Sequence, residues 1–301
     1  MTNPIKTRCG FVAVIGAPNV GKSTLINCFV GAKVSIVTHK VQTTRTRILG
    51  IAMRDEAQLV FIDTPGIFEP RRRLDRAMVD AAWRGTADGD CVMLLVDAKR
   101  GIDADTERIV EGLRRTKRKA TLILNKIDLV KREILLALAA EMNGTGVIDE
   151  IFMVSALKDD GVGAVMDRLA GSLPMGPWMF PEDQVSDLPQ RLMAAEVTRE
   201  QLFLLTHQEV PYSITVETNS WKEFKDGSVK IDQSIYVRRS SQKAIVLGRK
   251  GVRVKEIGAA ARAELGDILG REVHLFIHVK VRDKWMDDRS HYSPWGLDFN
   301  A

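Results

Sequence analysis

"FVAVIGAPNVGKST", residues 11–24, is the stretch on which the fold turns. Its first residues are an unbroken apolar run, the mark of a strand buried on both faces. The run that follows, residues 16–23, has the Gly-x-x-x-x-Gly-Lys-Ser spacing of a phosphate-binding loop opening a helix. Glycines at those places let successive backbone N–H groups turn toward an anion at the positive end of the helix. A lysine after them reaches the β- and γ-phosphates, and the next hydroxyl ligates Mg²⁺. Gly16, Ala17, Pro18, Asn19, Val20, Gly21, Lys22, Ser23 and Thr24 are therefore expected to cradle a nucleotide.

Four more apolar runs, "AQLVFIDT", "CVMLLVD", "ATLILN" and "EIFMVS", recur through the first half. Charged segments with helical spacing, such as "DTERIVEGLRRTKRK", separate them. This alternation predicts an α/β domain, a mostly parallel sheet with helices on both faces, whose ligands sit at the carboxyl ends of the strands. "NKID" follows one such strand, and Asp128 can accept hydrogen bonds from the ring N–H and exocyclic amine of guanine, which adenine does not offer in that geometry. Sites built around a required hydrogen bond discriminate by about 10⁴–10⁵. With Asn125 and Lys126 beside it, and the backbone N–H groups of Ser155, Ala156 and Leu157 set to meet the guanine O6, the expected ligand is GTP or GDP with Mg²⁺.

"DTPG" puts Asp63 in place to hold the metal through water and the Gly66 backbone to meet the γ-phosphate. The stretch "VTHKVQTTRTRILG" must supply a further metal hydroxyl from a mobile segment; Thr43 and Thr44 are the candidates and Thr44 is favoured. Many GTP-hydrolysing proteins carry a glutamine directly after the Asp-x-x-Gly, and here that position holds Ile67. Phosphoryl transfer needs positioning and charge neutralisation rather than one side chain, so Asn19 either helps to hold a monovalent cation, K⁺, near the phosphates or only stabilises the loop's turn. The expected catalytic set is Asn19, Lys22, Thr44 and Gly66, with Ser23, Thr44 and Asp63 at the metal.

A chain of 301 residues with a formal charge of +5 is long enough for two cores and leans toward nucleic acid. Its three widely spaced cysteines suit a reducing compartment, so a cytoplasmic protein is expected. No signal peptide is visible, nor an apolar run approaching the roughly 20 residues of a membrane span. Prolines 174, 177, 181 and 189 interrupt all periodicity. They predict a nucleotide domain over 1–173, a linker over 174–189 and a second domain over 190–301. In that second part the periodicities run α-β-β-α-α-β, a small α+β domain.

The charge gathers there. Arg238, Arg239, Lys243, Arg249, Lys250, Arg253 and Lys255 precede the first acid of "RRSSQKAIVLGRKGVRVKEIG", and Gly248 and Gly251 enclose two of them between helix-compatible segments. A Gly-x-x-Gly turn between helices is how a KH domain clamps a single-stranded RNA backbone. His274 and His278 share a strand face without a Cys or acidic partner at metal-site spacing, so no metal is expected there. The run "RRR", residues 71–73, reads as a solvated loop or a contact to RNA or a partner. The tail "VKVRDKWMDDRSHYSPWG" reads as a contact to RNA or membrane, or as packing on the second domain.

"CGFVAVIGAPNVGKSTLIN", "QTTRTRILGI", "DTPG", "NKID", "VSA", "PEDQVSD", "PYSITVE" and "VLGRKG" together resemble the bacterial Era family, over nearly the whole chain. The resemblance implies a P-loop GTPase domain followed by a KH type II domain in a monomer. It also implies binding to the 3′ end of 16S ribosomal RNA, assistance to small ribosomal subunit assembly, and peripheral association with the inner membrane. Ile67 fits relatives that dispense with the glutamine. Two other readings remain: an RNA-binding assembly factor with a structural, non-hydrolysing nucleotide site, and an ATP-driven RNA remodeller, which Asp128 opposes.

Overall fold

The computed structural model describes residues 6–38, 40, 43–206, 214–283, 285–289, 292 and 295–301. His39, Val41 and Gln42 of the expected mobile stretch, and residues 211–213 of "PYSITVE", lie outside them. The chain forms two compact units, Met1–Asp187 with Tyr292–Ala301, and Leu188–His291.

The first unit alternates strands and helices: β1 (Arg8–Gly16), α1 (Lys22–Val30), β2 (Ile48–Arg54), β3 (Ala57–Asp63), α2 (Arg73–Asp88), β4 (Cys91–Asp97), α3 (Ala104–Arg115), β5 (Ala120–Asn125), α4 (Arg132–Asn143), β6 (Ile148–Val154) and α5 (Val162–Ser172). The six strands lie in the order β2-β3-β1-β4-β5-β6. Five of them are the apolar runs and pair in parallel. β2, "ILGIAMR", is antiparallel to β3 and adds a strand that the apolar runs do not predict. It forms the end of the stretch read as mobile, and Gly50 breaks its strand pattern. The glycine is required, because a Cβ there would come 2.8 Å from Ile26 Cγ2 of α1.

Helices cover both faces of the sheet, so the inner strands β1, β3, β4 and β5 are buried twice over, while β6 at the edge is only half-buried along its middle. Val12, Val14, Leu25, Phe29, Phe61 and Leu169 fill one side, with Phe29 and Phe61 stacked at 4.7 Å, and Ile15, Leu94, Val96, Leu113, Leu122 and Leu138 fill the other. Each such side chain contributes about 1.5–3 kcal/mol when fully buried. The register aligns Asp97 with Asn125 and Asn125 with Val154, which brings the carboxyl ends of neighbouring strands together at one edge.

Two expectations need correction. Residues 174–187 do not run free as a linker: Cys9 N–H donates to Pro174 O (3.2 Å), Gln58 Nε2 to Phe180 O (2.8 Å), Ile51 N–H to Val185 O (2.9 Å) and Leu49 N–H to Asp187 Oδ1 (2.9 Å). The outward amides of edge strand β2 need acceptors, and this segment supplies them. The end of the tail does not group with the second unit. The Thr46 hydroxyl donates to Trp295 O (2.8 Å), and Arg73 stacks over the Phe299 ring at 4.4 Å. Tyr292, Trp295 and Leu297 are buried in the first unit.

The second unit has the expected α-β-β-α-α-β order: α6 (Gln190–Leu205), β7 (Ile214–Glu223), β8 (Val229–Val237), α7 (Ser240–Leu247), α8 (Val252–Leu269) and β9 (Val273–Val281). Its sheet runs β7-β8-β9, with β8 antiparallel to β7 and parallel to β9. Ala195, Leu202, Phe203, Ile235, Val246 and Ile257 pack between helices and sheet. Among the described residues no helix is long and apolar enough to cross a membrane.

Candidate functional site

At the carboxyl edge of the first unit's sheet lies a cavity of about 560 Å³, lined among others by Asn19, Lys22, Ser23, Thr44, Gly66, Asn125, Asp128, Ser155, Ala156 and Leu157. One sheet edge thus gathers motifs spread over 139 positions of chain, residues 19 to 157.

At one end the Ser23 hydroxyl donates to Asp63 Oδ2 at 2.9 Å, and Thr44 Oγ1 lies 3.0 Å from Ser23 Oγ and 3.4 Å from Asp63 Oδ2. Thr43 turns elsewhere, donating to Lys40 O at 2.7 Å. Burial raises the Asp63 carboxyl above its ordinary range, opposed by the Ser35 hydroxyl and the Lys22 charge. Asp63 Oδ1 is buried and has no hydrogen bond of normal geometry. Two hydroxyls beside a buried, under-satisfied carboxylate are a hard oxygen set, which fits Mg²⁺. Lys22 folds back on the loop, donating to Gly16 O (3.1 Å) and Ala17 O (3.0 Å). Its burial lowers the ammonium pKa to about 8.

At the other end Asn125 ties three segments together. Its Nδ2 donates to Val20 O at 2.9 Å, and its Oδ1 accepts from Lys126 N–H (2.8 Å) and Ala156 N–H (3.1 Å). Gly21 permits that approach, since a Cβ there would sit 2.3 Å from Asn125 Nδ2. Asp128 Oδ1 accepts the Ser155 hydroxyl at 2.7 Å, and this bond holds its carboxyl below the usual range. The amides of Ser155 and Ala156 turn to protein acceptors, Asp160 O at 3.0 Å and Asn125 Oδ1.

Gly66 lies against the phosphate loop: a Cβ on it would meet Pro18 Cα at 2.9 Å. Ile67 donates its N–H to Gly16 O at 3.1 Å and buries its side chain fully in the core. Two further residues of the cavity wall, Asp97 and Arg100, are not among those the motifs predict. Asp97 Oδ2 accepts Lys126 Nζ at 2.7 Å, Lys126 Nζ also donates to Asn19 O at 2.7 Å, and Arg100 Nη1 donates to Pro18 O at 2.8 Å. The sequence signal available for Asp97 is its place at the end of a strand in "CVMLLVD"; Arg100 has none.

In the second unit, Gly248 (φ 69°), Lys250 (φ 53°) and Gly251 (φ 77°) make the turn between α7 and α8 left-handed. A Cβ at Gly248 would approach Arg253 Cβ to 2.7 Å. Arg239, Arg249, Lys250 and Lys255 are exposed, while Arg238, Lys243 and Arg253 are half-buried. Arg253 Nη1 donates to Ile245 O at 2.7 Å, satisfying a carbonyl at the end of α7, and Arg238 Nε donates to Asp283 O at 3.3 Å. Around His274 and His278, as elsewhere among the described residues, no group of three or more His, Cys, Asp or Glu is placed to hold a metal.

Phosphate-loop, metal and guanine elements at one sheet edge, followed by a Gly-x-x-Gly turn in an α-β-β-α-α-β unit, define a guanine-nucleotide domain joined to a KH domain. The comparisons agree. Residues 11–126 match the family described as 50S ribosome-binding GTPase, and residues 209–286 match the KH domain. GTPase Era of Rhizobium meliloti is 58% identical over 98% of this chain and 94% of its own, and GTPase Era of Dinoroseobacter shibae is 56% identical over 99% and 97%. Two solved structures superpose with TM-scores of 0.91 at 39% identity, covering 96% of this chain and 99% of theirs: an Aquifex aeolicus Era variant bound to GDP·AlF₄⁻, and Era with MgGDPNP and nucleotides 1506–1542 of 16S ribosomal RNA. The chain belongs to the Era family of GTPases.

Proposed function

We propose that this chain is a slow GTP-hydrolysing switch that holds the 3′ end of 16S ribosomal RNA and assists assembly of the small ribosomal subunit. The observation that carries the reading is one continuous cavity with Ser23 and Thr44, both bonded to the buried Asp63, at one end and Asp128 at the other. In this reading the loop amides of residues 16–24 and Lys22 bind the phosphates. Asp128 reads the guanine edge, Asn125 and Lys126 brace it, and Ser155, Ala156 and Leu157 close over the base. Ser23 and Thr44 hold Mg²⁺, with Asp63 reaching it through water. Bound there, the metal neutralises charge on the β- and γ-phosphate oxygens.

Ile67 is committed to the core, so water is oriented without a glutamine. The Gly66 N–H meets the γ-phosphate, and the Asn19 amide oxygen helps to hold K⁺ beside it. The stretch around Thr44 and that after Gly66 order with GTP and relax after hydrolysis. Arg239, Arg249, Lys250 and Lys255 meet RNA phosphates around the Gly248 turn, with Arg238, Lys243, Gly251 and Arg253 shaping the clamp. The nucleotide-binding region is the unit of residues 1–187 with 292–301, and the RNA-binding region the unit of residues 188–291. The solved relative carrying a 16S fragment supports the choice of RNA. The family description that names the 50S particle favours a second reading, in which the large subunit is the partner. The arrangement implied by resemblance is a cytoplasmic monomer touching the inner membrane only peripherally.

The deciding experiment measures phosphate release from GTP in potassium and in sodium, with and without RNA ending in the 16S 3′ sequence, beside Asn19→Ala. Turnover raised by potassium and by RNA, and lost with Asn19, is expected. No turnover in any condition would leave the nucleotide site structural. Co-sedimentation with isolated 30S and 50S particles separates the two partners.

A further inference from the structure

Asn19 is the one non-glycine residue of the phosphate loop with a left-handed backbone, φ 64°. Such a conformation is uncommon for a residue with a side chain and persists where the surroundings hold it in place. Here the carbonyls on both sides of it are gripped by cations: Pro18 O by Arg100 at 2.8 Å and Asn19 O by Lys126 at 2.7 Å. Asp97, at the end of β4, organises both. Its Oδ2 accepts Lys126 Nζ at 2.7 Å, and its Oδ1 accepts the backbone N–H of Lys99 at 2.9 Å and of Arg100 at 3.4 Å. The other arm of the Arg100 guanidinium is bonded to the Asp103 carboxylate. Asp103 in turn caps α3 by accepting Thr106 N–H at 2.9 Å. Arg100 is therefore a stay between the start of a packed helix and the apex of the phosphate loop. The point it holds, Pro18, is also the residue against which Gly66 rests.

We propose that Arg100 is a positioning residue for GTP hydrolysis: by fixing the Pro18–Asn19 peptide it sets the direction of the Asn19 amide and the spacing between the loop and Gly66. This rests on the reading of Asn19 and Gly66 as hydrolytic residues. An ordinary surface arginine paired with Asp103 would leave turnover untouched when removed. A stay acts on the chemical step more than on affinity, because the groups that bind the base and the phosphates belong to other residues. The planar fork matters, since a lysine is a single-point donor that reaches Pro18 O or Asp103 but not both.

The test uses the full chain with Mg²⁺ and compares wild type with Arg100→Ala, Arg100→Gln and Arg100→Lys. It records kcat, KM, the affinity for a fluorescent GDP and the thermal midpoint. A misplacement of this kind is expected to lower kcat about tenfold in Arg100→Ala while KM and GDP affinity stay within about twofold. Arg100→Lys should recover part of the loss and Arg100→Gln less, with midpoints within a few degrees of wild type. An unchanged kcat in Arg100→Ala would overturn the proposal. So would a loss of turnover mirrored by an equal loss of GDP affinity, with lysine no better than alanine. A wild type that releases no phosphate would instead defeat the GTPase reading on which the proposal stands.

Discussion

Ile67 faces away from the cavity, packed with Ile15, Ala82 and Val92 while its amide bonds Gly16 O. Placing a glutamine there would bury an amide among apolar side chains, at a cost of about 2–4 kcal/mol. Ile67→Gln is therefore expected to lower stability in urea unfolding by that amount without raising phosphate release. Asp128 makes a different kind of contribution. Its carboxyl is held ionised by Ser155, and Asp128→Ala should weaken GDP binding about a hundredfold or more, read by fluorescent-nucleotide titration. Cys28 gives a residue-scale check outside the site. Burial, together with the Asp159 carboxylate that accepts its S–H at 3.2 Å, pushes its pKa up to about 11. At pH 8 roughly one thiol in a thousand is ionised, so alkylation by iodoacetamide should be far slower than that of a free thiol in solution, and should speed up as pH rises toward 11.

Among elements, α3 meets the Trp83 ring of α2 at Gly112, where a Cβ would come 2.2 Å from Trp83 Cη2. Replacing a mid-helix glycine by alanine favours the helix by about 1 kcal/mol, but overpacking costs typically 1–3 kcal/mol. With an indole ring wedged against the backbone the second effect wins, and Gly112→Ala should lower the thermal midpoint. The strength of each element's signal in the sequence follows its surroundings. Strands β1, β3, β4 and β5 are buried on both faces and announce themselves as apolar runs, as does β6, although it lies at the other edge and is only half-buried along its middle. β2 lies at the edge, contains Gly50 and follows a Thr- and Arg-rich stretch, so its pattern is hidden. The four motifs of the nucleotide site are legible because each must present fixed residue types at fixed spacing. Arg100 is not, because its bond to Pro18 spans 82 positions and nothing in "AKRG" announces it. The prolines of residues 174–189 give a true signal of broken periodicity, but broken periodicity cannot distinguish a free linker from a strap laid along a sheet edge.

For the whole molecule, the exposed cations of the Gly248 turn predict how RNA binding responds to salt. Removing one phosphate-binding cation should flatten the dependence of log K on log salt by about 0.7 for a single strand. A double Arg249→Ala, Lys250→Ala chain should therefore bind the 16S fragment more weakly with a slope shallower by about 1.4, in a filter-binding series across salt concentrations. GTP turnover without RNA should be unchanged in that chain.

The chain leaves the first unit at Asp187 and returns to it at Tyr292, so the second unit is an insertion rather than an appendage. A single cut therefore cannot liberate an intact GTPase half: a fragment ending at residue 187 would lack the strand-end partner Trp295 and the ring that shields Arg73. The same closure bears on handling. A purification tag joined to Ala301 would meet α2, the helix that follows Gly66, where Arg76 Nε reaches the Ala301 carbonyl.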